Sequence, residues 1–461
     1  MRQLSLAKTL QWHQSLAEQF PTNKEKFADL LHTACGELRT KGITFGGKRD
    51  MTVALSALFL DESDVAALND ITTQLHRITE TVLDRTTATD DNLTRYFPHH
   101  KRIFPFLNKT PGCPTRQIVS RFDAVVTPTG QVKIIELNTC CPAGFLHSES
   151  FCEVTQTALE TGQIAMPSPT PRYGAINPSA LVQTLLEIEA QSGLEKNLIG
   201  VLIDENQIMH ELNLLLDEIA RQGRQAQIID ARELSFRNDK LRHKGRLLSV
   251  VFNKFRVSVP TSRNHYWKEG FEIRYKSLLG AIQAGRVAAV NNFYGMSLGE
   301  DKAFLAMLRD PTIQAELSEE DRTFIEDHVC WTVRLADQQV TWQDRTVDLM
   351  ELLRTHKDQF VIKPANEGRG FEVRIGKYCT DDEWKQVCRI DVNTPCVVQE
   401  YIDPVQLPVV TNGSEKIHVQ PMFLTLGLAS LRGQYVGTLS RISAVPVTNV
   451  AQKGMVQAIF Y

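Results

Sequence analysis

Three polar side chains lie close together in the sequence at a spacing that suits metal binding. Asp123 belongs to the apolar run at 118–126, which is followed by the turn sequence Thr-Pro-Thr-Gly. Glu136 and Asn138 lie two residues apart in the apolar run that comes next. The pattern predicts a β-hairpin. Because the side chains of a strand alternate between the two faces of a sheet, Glu136 and Asn138 leave the same face.

The register of this hairpin decides what its acidic residues can do. Depending on the loop length, Asp123 faces residue 134, 135 or 136, and in the last of these registers Asp123 and Glu136 are about 5 Å apart at Cβ. Two bare carboxylates at that distance repel each other and are stable mainly with a divalent cation between them, to which the Asn138 amide oxygen adds a hard ligand. Oxygen ligands alone favour Mg²⁺ or Mn²⁺. An exposed edge with incidental acids is the alternative.

A second segment, residues 360–373, has the composition of a phosphate-binding loop. Lys363 ends an apolar strand, so its ammonium is fixed at the edge of a core. Gly368 and Gly370 follow in a loop whose backbone N–H groups can approach phosphates closely. The Walker A pattern is absent from the sequence. Further along, residues 395–403 form an apolar strand that runs into a polar stretch, where backbone groups could face an adenine edge.

The elements that position these segments follow from the spacing of apolar residues. Residues 1–95 have apolar residues at three- and four-residue steps, which predict helices. The apolar runs at 198–204, 226–230 and 247–255 predict strands, with a helix between the first two. Strands that alternate with helices indicate a small parallel sheet of the Rossmann type, although no GxGxxG motif accompanies it.

Composition limits the class of protein. The 461 residues include 51 Lys and Arg against 54 Asp and Glu, for a net charge of −3, whereas nucleic-acid binders usually carry a basic excess. No apolar stretch reaches the roughly 18 residues of a membrane span, and the first residues do not resemble a secretory signal. We therefore expect a cytoplasmic enzyme of two or three domains, with small-molecule partners and without nucleic acid or membrane contact. A homodimer is left open.

Cysteine and histidine spacing gives no zinc motif. The nine cysteines contain no CxxC pair, and the twelve histidines contain no HExxH. The pair His99-His100, followed by Lys-Arg, is interpreted as a solvated turn.

Taken together, these segments resemble the ATP-grasp superfamily. Lys363 and its strand are similar to the family's phosphate-binding lysine, and residues 366–370 are similar to its glycine-rich lid. Residues 399–402 (Gln-Glu-Tyr-Ile) are similar to the hinge that reads adenine through the backbone. Asp123 followed by Glu136-Leu-Asn138 is similar to the metal-binding hairpin of the family.

The order of these segments is unusual for that superfamily. Members normally run lysine, lid, hinge and then hairpin, whereas here the hairpin lies more than 200 residues before the lysine. This order resembles the circularly permuted branch, which includes the glutathionylspermidine synthetase-like proteins. Residues 291–308 resemble a helix opening of that branch with Lys302 as a second phosphate-facing cation, and residues 421–449 resemble its C-terminal strand pair with Arg441. The doublet Cys140-Cys141 departs from the branch, so no substrate is inherited from a relative.

The resemblance implies a fold class, a division into domains and a set of site residues. The class is α/β (α+β): an ATP-grasp fold in circularly permuted order with a Rossmann-like parallel α/β domain. The expected domains are a helical region with the metal hairpin (1–165), the Rossmann-like domain (166–290), and the lysine, lid and hinge with the C-terminal core strands (291–461). ATP and Mg²⁺ or Mn²⁺ are the implied cofactors. The implied metal ligands are Asp123, Glu136 and Asn138. The implied nucleotide-binding residues are Lys302, Lys363, Gly368, Gly370, Gln399, Glu400 and Ile402. Arg441 and Arg121 are implied to stabilise charge on the activated oxygen.

The resemblance also implies an enzyme, a ligase that forms carbon–nitrogen bonds. Such ligases use ATP to phosphorylate an oxygen of a small acceptor, a carboxylate or an enol, and an amino acid or amine then displaces phosphate, leaving ADP and Pi. Formation of mycosporine-glycine in natural-product biosynthesis is one specific candidate. The alternatives are a peptide or polyamine ligase nearer to the glutathionylspermidine synthetase-like proteins, an ATP-grasp kinase or phosphotransferase, and a nucleotide-binding scaffold without turnover.

Overall fold

Apolar periodicity and turn residues divide the chain into alternating helices and strands. The structure is a computed structural model that describes residues 3–45, 49–51, 54–140, 142–168, 172–204, 209–255, 270–366, 370, 372–389, 395–412, 417–448, 450 and 454–461. Its helices are α1 (Ala7–Gln19), α2 (Lys24–Thr40), α3 (Glu62–Thr86), α4 (Asp90–Tyr96), α5 (Ser148–Thr161), α6 (Pro178–Gln191), α7 (Met209–Arg221), α8 (Phe271–Arg274), α9 (Lys276–Gln283), α10 (Ala303–Met307), α11 (Pro311–Gln314), α12 (Glu319–His328), α13 (Leu349–Thr355) and α14 (Asp381–Val387).

The strands are mostly short and belong to several sheets. They are β1 (Thr44–Phe45), β2 (Arg49–Asp50), β3 (Ala57–Phe59), β4 (Val119–Val126), β5 (Val132–Asn138), β6 (Leu198–Ile203), β7 (Ala226–Asp230), β8 (Ser235–Arg237), β9 (Lys240–His243), β10 (Arg246–Asn253), β11 (Ala288–Val290), β12 (Thr332–Arg334), β13 (Gln339–Trp342), β14 (Arg345–Asp348), β15 (Phe360–Pro364), β16 (Arg374–Ile375), β17 (Cys396–Glu400), β18 (Gln406–Asn412), β19 (Ile417–Leu431), β20 (Gln434–Ser443) and β21 (Met455–Phe460). The mixed α/β class is therefore confirmed.

The helix α3 shows how the amino-terminal sequence starts a helix and buries one of its faces. The Asp61 carboxylate accepts a hydrogen bond from the Asp64 N–H, and the Asp64 carboxylate accepts one from the Asp61 N–H, both at 2.9 Å. This reciprocal cap satisfies N–H groups that have no partner inside the helix. Leu68, Ile71 and Leu75 are fully buried at helical spacing. Three short strands, β1 to β3, interrupt the predicted helical region, because a strand of two or three residues is too short to show a period.

A seven-stranded sheet joins parts of the chain that are distant in sequence. Its strand order is β3-β21-β20-β19-β4-β5, and β18 pairs with β19 beside this path. The predicted hairpin is β4 and β5, and its first strand lies antiparallel to β19. Strand β19 also pairs with β20, so that the hairpin and the C-terminal strands share one surface. This pairing positions the candidate site.

Two further large sheets lie beside it, and β1-β2 and β13-β14 form two-stranded sheets of their own. Strands β7, β6, β10 and β11 are parallel, as predicted for the three runs in 198–255, and β9 and β8 extend this sheet in antiparallel fashion. Strands β12, β17, β15 and β16 form a small antiparallel sheet that carries Lys363. Phe360 and Ile362 on β15 pack with Leu353, Trp384 and Val398 in a core of their own. Within the described residues, the helices are all too short or too polar to cross a membrane.

Candidate functional site

The hairpin adopts the register that places its two carboxylates opposite each other. Asp123 pairs with Glu136, and the register shifts immediately afterwards, because Ala124 pairs with Ile134. Without this bulge Asp123 would face residue 135, which is another of the three predicted registers. On its other side Asp123 pairs with Gly427 of β19. A side chain at Gly427 would place its Cβ 2.7 Å from Cδ of Arg121, so glycine leaves the space that this arginine occupies.

Asp123 is held between two guanidinium groups. Nε of Arg121 lies 2.9 Å from Oδ1 of Asp123, and Nη2 of Arg441 lies 2.7 Å from Oδ2. All three side chains are buried. Burial by itself raises the pKa of Asp123, but the two guanidinium groups outweigh it and hold the pKa at about 2. The carboxylate is therefore ionised at neutral pH without a metal ion.

Glu136 also has a cationic partner, Lys302. Nζ of Lys302 lies 3.0 Å from Oε1 of Glu136, and the Lys302 side chain is buried while that of Glu136 remains partly exposed. The backbone N–H of Lys302 donates to the carbonyl of Ala365 at 2.8 Å, just after β15. The expectation that the two carboxylates are bare is thus wrong. Fixed side-chain cations already offset their repulsion.

Lys363 points inward at the end of β15 rather than into solvent. Its ammonium donates to Oε1 of Gln399 at 2.6 Å and lies 3.4 Å from the carbonyl of Ile135. Burial lowers its pKa to about 8; Glu136 opposes this shift and Lys302 adds to it. The Gln399 amide nitrogen donates in turn to Oγ1 of Thr332 at 2.9 Å. Sequence reasoning assigned Gln399 a backbone role, whereas its side chain orients Lys363.

These groups line one cavity between the central sheet and the small antiparallel sheet. Nine of the predicted site residues contribute to its wall: Asp123, Glu136, Lys302, Lys363, Gly370, Gln399, Glu400, Ile402 and Arg441. The remaining wall residues have apolar or hydroxyl side chains: Val125, Ile135, Val361, Val373, Ile375, Tyr401, Pro404, Thr425, Pro446, Val447 and Thr448. Charged groups thus share the cavity with apolar walls that suit a flat ring.

Of the other three predicted residues, the two that the structure describes do not line the cavity. Arg121 is behind Asp123, where its Nη1 donates to the carbonyl of Ala143 at 2.7 Å. The Asn138 amide nitrogen lies 3.4 Å from the Arg121 carbonyl, and Asn138 does not contribute to the cavity wall. Gly368 lies outside the described residues. Of the cysteine doublet, Cys140 is buried and its N–H donates to Oε2 of Glu300 at 2.7 Å, while Cys141 is also outside the described residues.

Comparison with known proteins gives a likeness in structure and none in sequence. No known protein family matches the chain, and no curated protein sequence matches it. A glutathione synthetase-like effector, GSS30, from Globodera pallida in its apo form is similar over 97% of both chains, with a TM-score of 0.59 and 11% identity. The likeness shows the fold. D-cycloserine synthetase DcsG aligns over 57% of this chain and 90% of its own, with a TM-score of 0.29 and 12% identity, which is too weak to support an argument.

The contact between Gln399 and Lys363 predicts a positioning role. In Gln399→Leu the ammonium of Lys363 loses the acceptor at 2.6 Å and keeps the more distant carbonyl of Ile135. A hydrogen bond to a charged group contributes about 1.5–3 kcal/mol. For Mg-ATP, the ligand that the resemblance implies, we expect the affinity to fall by about tenfold or more, measured by calorimetric titration. Gln399→Glu keeps an acceptor for Lys363 and is expected to retain more affinity than Gln399→Leu. The control is Gln386→Leu on an exposed face of α14; equal affinities in Gln399→Leu and Gln386→Leu would disprove the role.

Proposed function

We propose that the protein is an ATP-dependent ligase of the ATP-grasp type that forms a carbon–nitrogen bond. One observation carries the proposal: Lys302, Lys363 and Arg441, from three distant parts of the chain, meet Asp123 and Glu136 in a single cavity with apolar walls. Fixed cations beside carboxylates are what phosphoryl transfer requires, because the enzyme must hold two anions against each other. The hairpin-first order supports the circularly permuted branch, and the end-to-end likeness to a glutathione synthetase-like protein supports a synthetase.

The apolar end of the cavity is the proposed place of the adenine ring. Val361 and Ile375 belong to its wall, and residues 400–402 run along its edge. The N–H of Glu400 donates to the carbonyl of Trp331 at 2.9 Å, and that of Tyr401 donates to the carbonyl of Gln359 at 2.7 Å. Adenine would therefore be read by the carbonyl groups of this segment or by the backbone of Ile402.

The donor groups of the cavity fit a magnesium ion that arrives with the nucleotide. Mg²⁺ is typically bound through one or two carboxylates together with substrate phosphates. Glu136 is suited to this role because its side chain is partly exposed to the cavity. Asp123 is less suited, since an arginine engages each of its oxygens. When bound, the ion would neutralise charge on the β- and γ-phosphates.

The side chains of the cavity would fix the reacting groups. Lys302 and Lys363 would hold the phosphates while an oxygen of the acceptor attacks the γ-phosphorus and the bond to the ADP oxygen breaks. Arg441 would stabilise charge on the activated oxygen. Its Nε is buried and has no hydrogen-bond partner among the described residues, so it can donate to a ligand oxygen. The amine then attacks the activated carbon, phosphate leaves, and the amine proton passes to solvent.

The two-step scheme is tested by the products that ATP consumption yields. Purified protein is mixed with Mg-ATP, single amino acids or amines, and candidate acceptors that carry a carboxylate or an enol, including the cyclic enolone that mycosporine-glycine formation requires. We expect Pi release only when acceptor and amine are both present, with a coupled product of matching mass. A stable phosphorylated acceptor would establish the phosphotransferase instead, and a peptide or polyamine product would establish the glutathionylspermidine synthetase-like alternative. If the protein binds the nucleotide but consumes no ATP with any combination of acceptor and amine, the result supports the nucleotide-binding scaffold without turnover.

A further inference from the structure

The pair His99-His100 is not the solvated turn that the sequence indicated. A short 3₁₀ helix at Pro98–Phe106 turns both imidazoles inward. The side chain of His100 is 1% exposed and that of His99 is 15% exposed. Both face the carboxylate of Asp301, which is fully buried and lies about 200 residues further along the chain. Lys101 and Arg102, which follow the pair, suggested a surface turn. They do not determine the orientation of the two imidazole rings.

The three side chains converge on one point. Nε2 of His99 lies 2.5 Å from Oδ2 of Asp301, and Nε2 of His100 lies 2.9 Å from the same oxygen. The three ligand atoms all lie within 4.8 Å of one another. Zinc sites have bond lengths of about 2.0–2.2 Å to imidazole nitrogen and carboxylate oxygen, so their ligand atoms are separated by roughly 3.3 Å. A shift of less than 1 Å in the rings would open that space.

The chemistry of the cluster suits a metal ion. Two adjacent imidazoles approach one oxygen of a carboxylate that is itself fully buried. Imidazole nitrogen and carboxylate oxygen are both established ligands of Zn²⁺.

We propose that His99, His100 and Asp301 bind one divalent transition-metal ion, with Zn²⁺ as the occupant, at a site separate from the proposed magnesium position. Imidazole nitrogen is a ligand for Zn²⁺ and its neighbours in the first transition series, whereas Mg²⁺ prefers oxygen alone. The ring of His100 lies 6.0 Å from that of Phe97, which shields this side of the site. A water would be the fourth ligand, reaching the ion from the partly exposed side at His99.

The site would stabilise the turn that carries Lys302. Oδ1 of Asp301 accepts a hydrogen bond from the N–H of Ala303 at 2.8 Å, which begins α10. Lys302, the next residue, donates its backbone N–H to Ala365 and pairs its ammonium with Glu136. An ion bound to Asp301 would therefore fix the backbone from which Lys302 reaches the cavity, without touching the nucleotide itself.

Zinc titration of the full-length protein tests this proposal without reference to any catalytic activity. The protein is stripped with a chelator, dialysed, and titrated with Zn²⁺ in competition with a chromophoric chelator, in the presence of millimolar Mg²⁺. We expect about one Zn²⁺ per chain, and a visible Co²⁺ spectrum of nitrogen and oxygen ligation when Co²⁺ replaces it. His99→Gln and Asp301→Asn are each expected to weaken Zn²⁺ binding by about 100-fold, since loss of groups that only orient the ligands already costs 10–100-fold.

Two controls keep the result interpretable. His32→Gln changes an exposed histidine of α2 and is expected to leave Zn²⁺ binding unchanged. Circular dichroism and the unfolding midpoint show whether each variant is folded. If Asp301→Asn does not fold, the result for His99→Gln tests the proposal, because His99 is the most exposed member of the cluster. Absence of Zn²⁺ binding by the unmodified protein overturns the proposal. Equal binding by His99→Gln and the unmodified protein also overturns it, because the ion would then lie elsewhere.

Discussion

Replacing Lys363 with methionine is expected to lower the rate of ATP consumption by a factor of about 10²–10³, the loss that follows removal of one preorganised donor from a developing charge. Lys363 is a fixed cation in the wall of the cavity, and methionine has a similar length without the charge. Because burial already lowers the pKa of this ammonium to about 8, the fold gains nothing from its charge. The variant should therefore stay folded while Mg-ATP affinity and turnover fall, as measured by titration and by Pi release.

The pH dependence of the same group gives a second measurement. The pKa of Lys363 in the folded protein, about 8, lies below its ordinary value. Its charge is therefore lost as pH rises through 8, and Mg-ATP affinity of the unmodified protein should decline above that pH. The unfolded chain binds more protons than the folded one in this window, so the contribution of Lys363 to stability rises with pH there. Lys363→Met should lack both dependences.

The matched control is Lys377→Met. Lys377 pairs with Asp403 at 2.9 Å on the surface, where both side chains are substantially exposed. Its removal is expected to change Mg-ATP affinity by less than a factor of about five, because exposed ion pairs contribute at most about 1 kcal/mol. If Lys363→Met and Lys377→Met bind Mg-ATP equally well, the cavity is not the nucleotide site.

Local pattern was sufficient to predict the hairpin but not its register. Alternation of apolar residues located β4 and β5 and placed Glu136 and Asn138 on one face. Three registers remained, because a bulge that shifts the pairing by one residue has no signature in this sequence. The small parallel sheet was predicted on the same grounds, within two residues at each end of its strands.

The partners of the site residues could not be predicted, because they depend on contacts between distant segments. Nothing near Asp123 in sequence indicates that Arg441 lies against it; that contact exists because β4 and β20 both pair with β19. The pairing of Lys302 with Glu136 likewise requires the turn before α10 to reach the hairpin. The spacing of the carboxylates alone therefore predicted a bridging metal ion, whereas in the structure side-chain cations contact both carboxylates.

The environment of the pair His99-His100 could not be predicted from its neighbours in sequence either. Two histidines followed by two basic residues have the composition of a surface turn, and the interpretation of His99-His100 rested on that composition alone. Both rings contact the buried carboxylate of Asp301, which comes from a different part of the chain. A buried carboxylate partner is invisible to any argument from neighbouring residues.

Replacing Asp123 with alanine is expected to lower the free energy of unfolding by about 3–5 kcal/mol, the range found when one partner of a buried ion pair is removed. The substitution leaves the guanidinium groups of Arg121 and Arg441 buried without the carboxylate that both of them contact. Urea denaturation followed by circular dichroism measures the loss. Because the pKa of Asp123 is held at about 2 in the folded protein, its contribution is present at neutral pH and disappears as pH falls toward 2. The free energy of unfolding of Asp123→Ala should therefore fall less steeply than that of the unmodified protein as pH decreases toward 2.

Two comparison variants show whether the lower free energy of unfolding comes from the unpaired buried charges. The other causes to be separated are lost packing and the removal of a charge as such. Asp382→Ala removes the partner of Lys385 in an exposed pair and is expected to cost less than about 1 kcal/mol. Asp123→Leu combined with Arg121→Leu and Arg441→Met removes the whole cluster, and replacing buried ions by apolar residues of similar size is often neutral. The triple variant should regain most of the stability that Asp123→Ala loses, yet bind Mg-ATP poorly, because Arg441 lines the cavity. If Asp123→Ala is instead as stable as Asp382→Ala, the two arginines find other anions, and the cluster is not what fixes Arg441 in place.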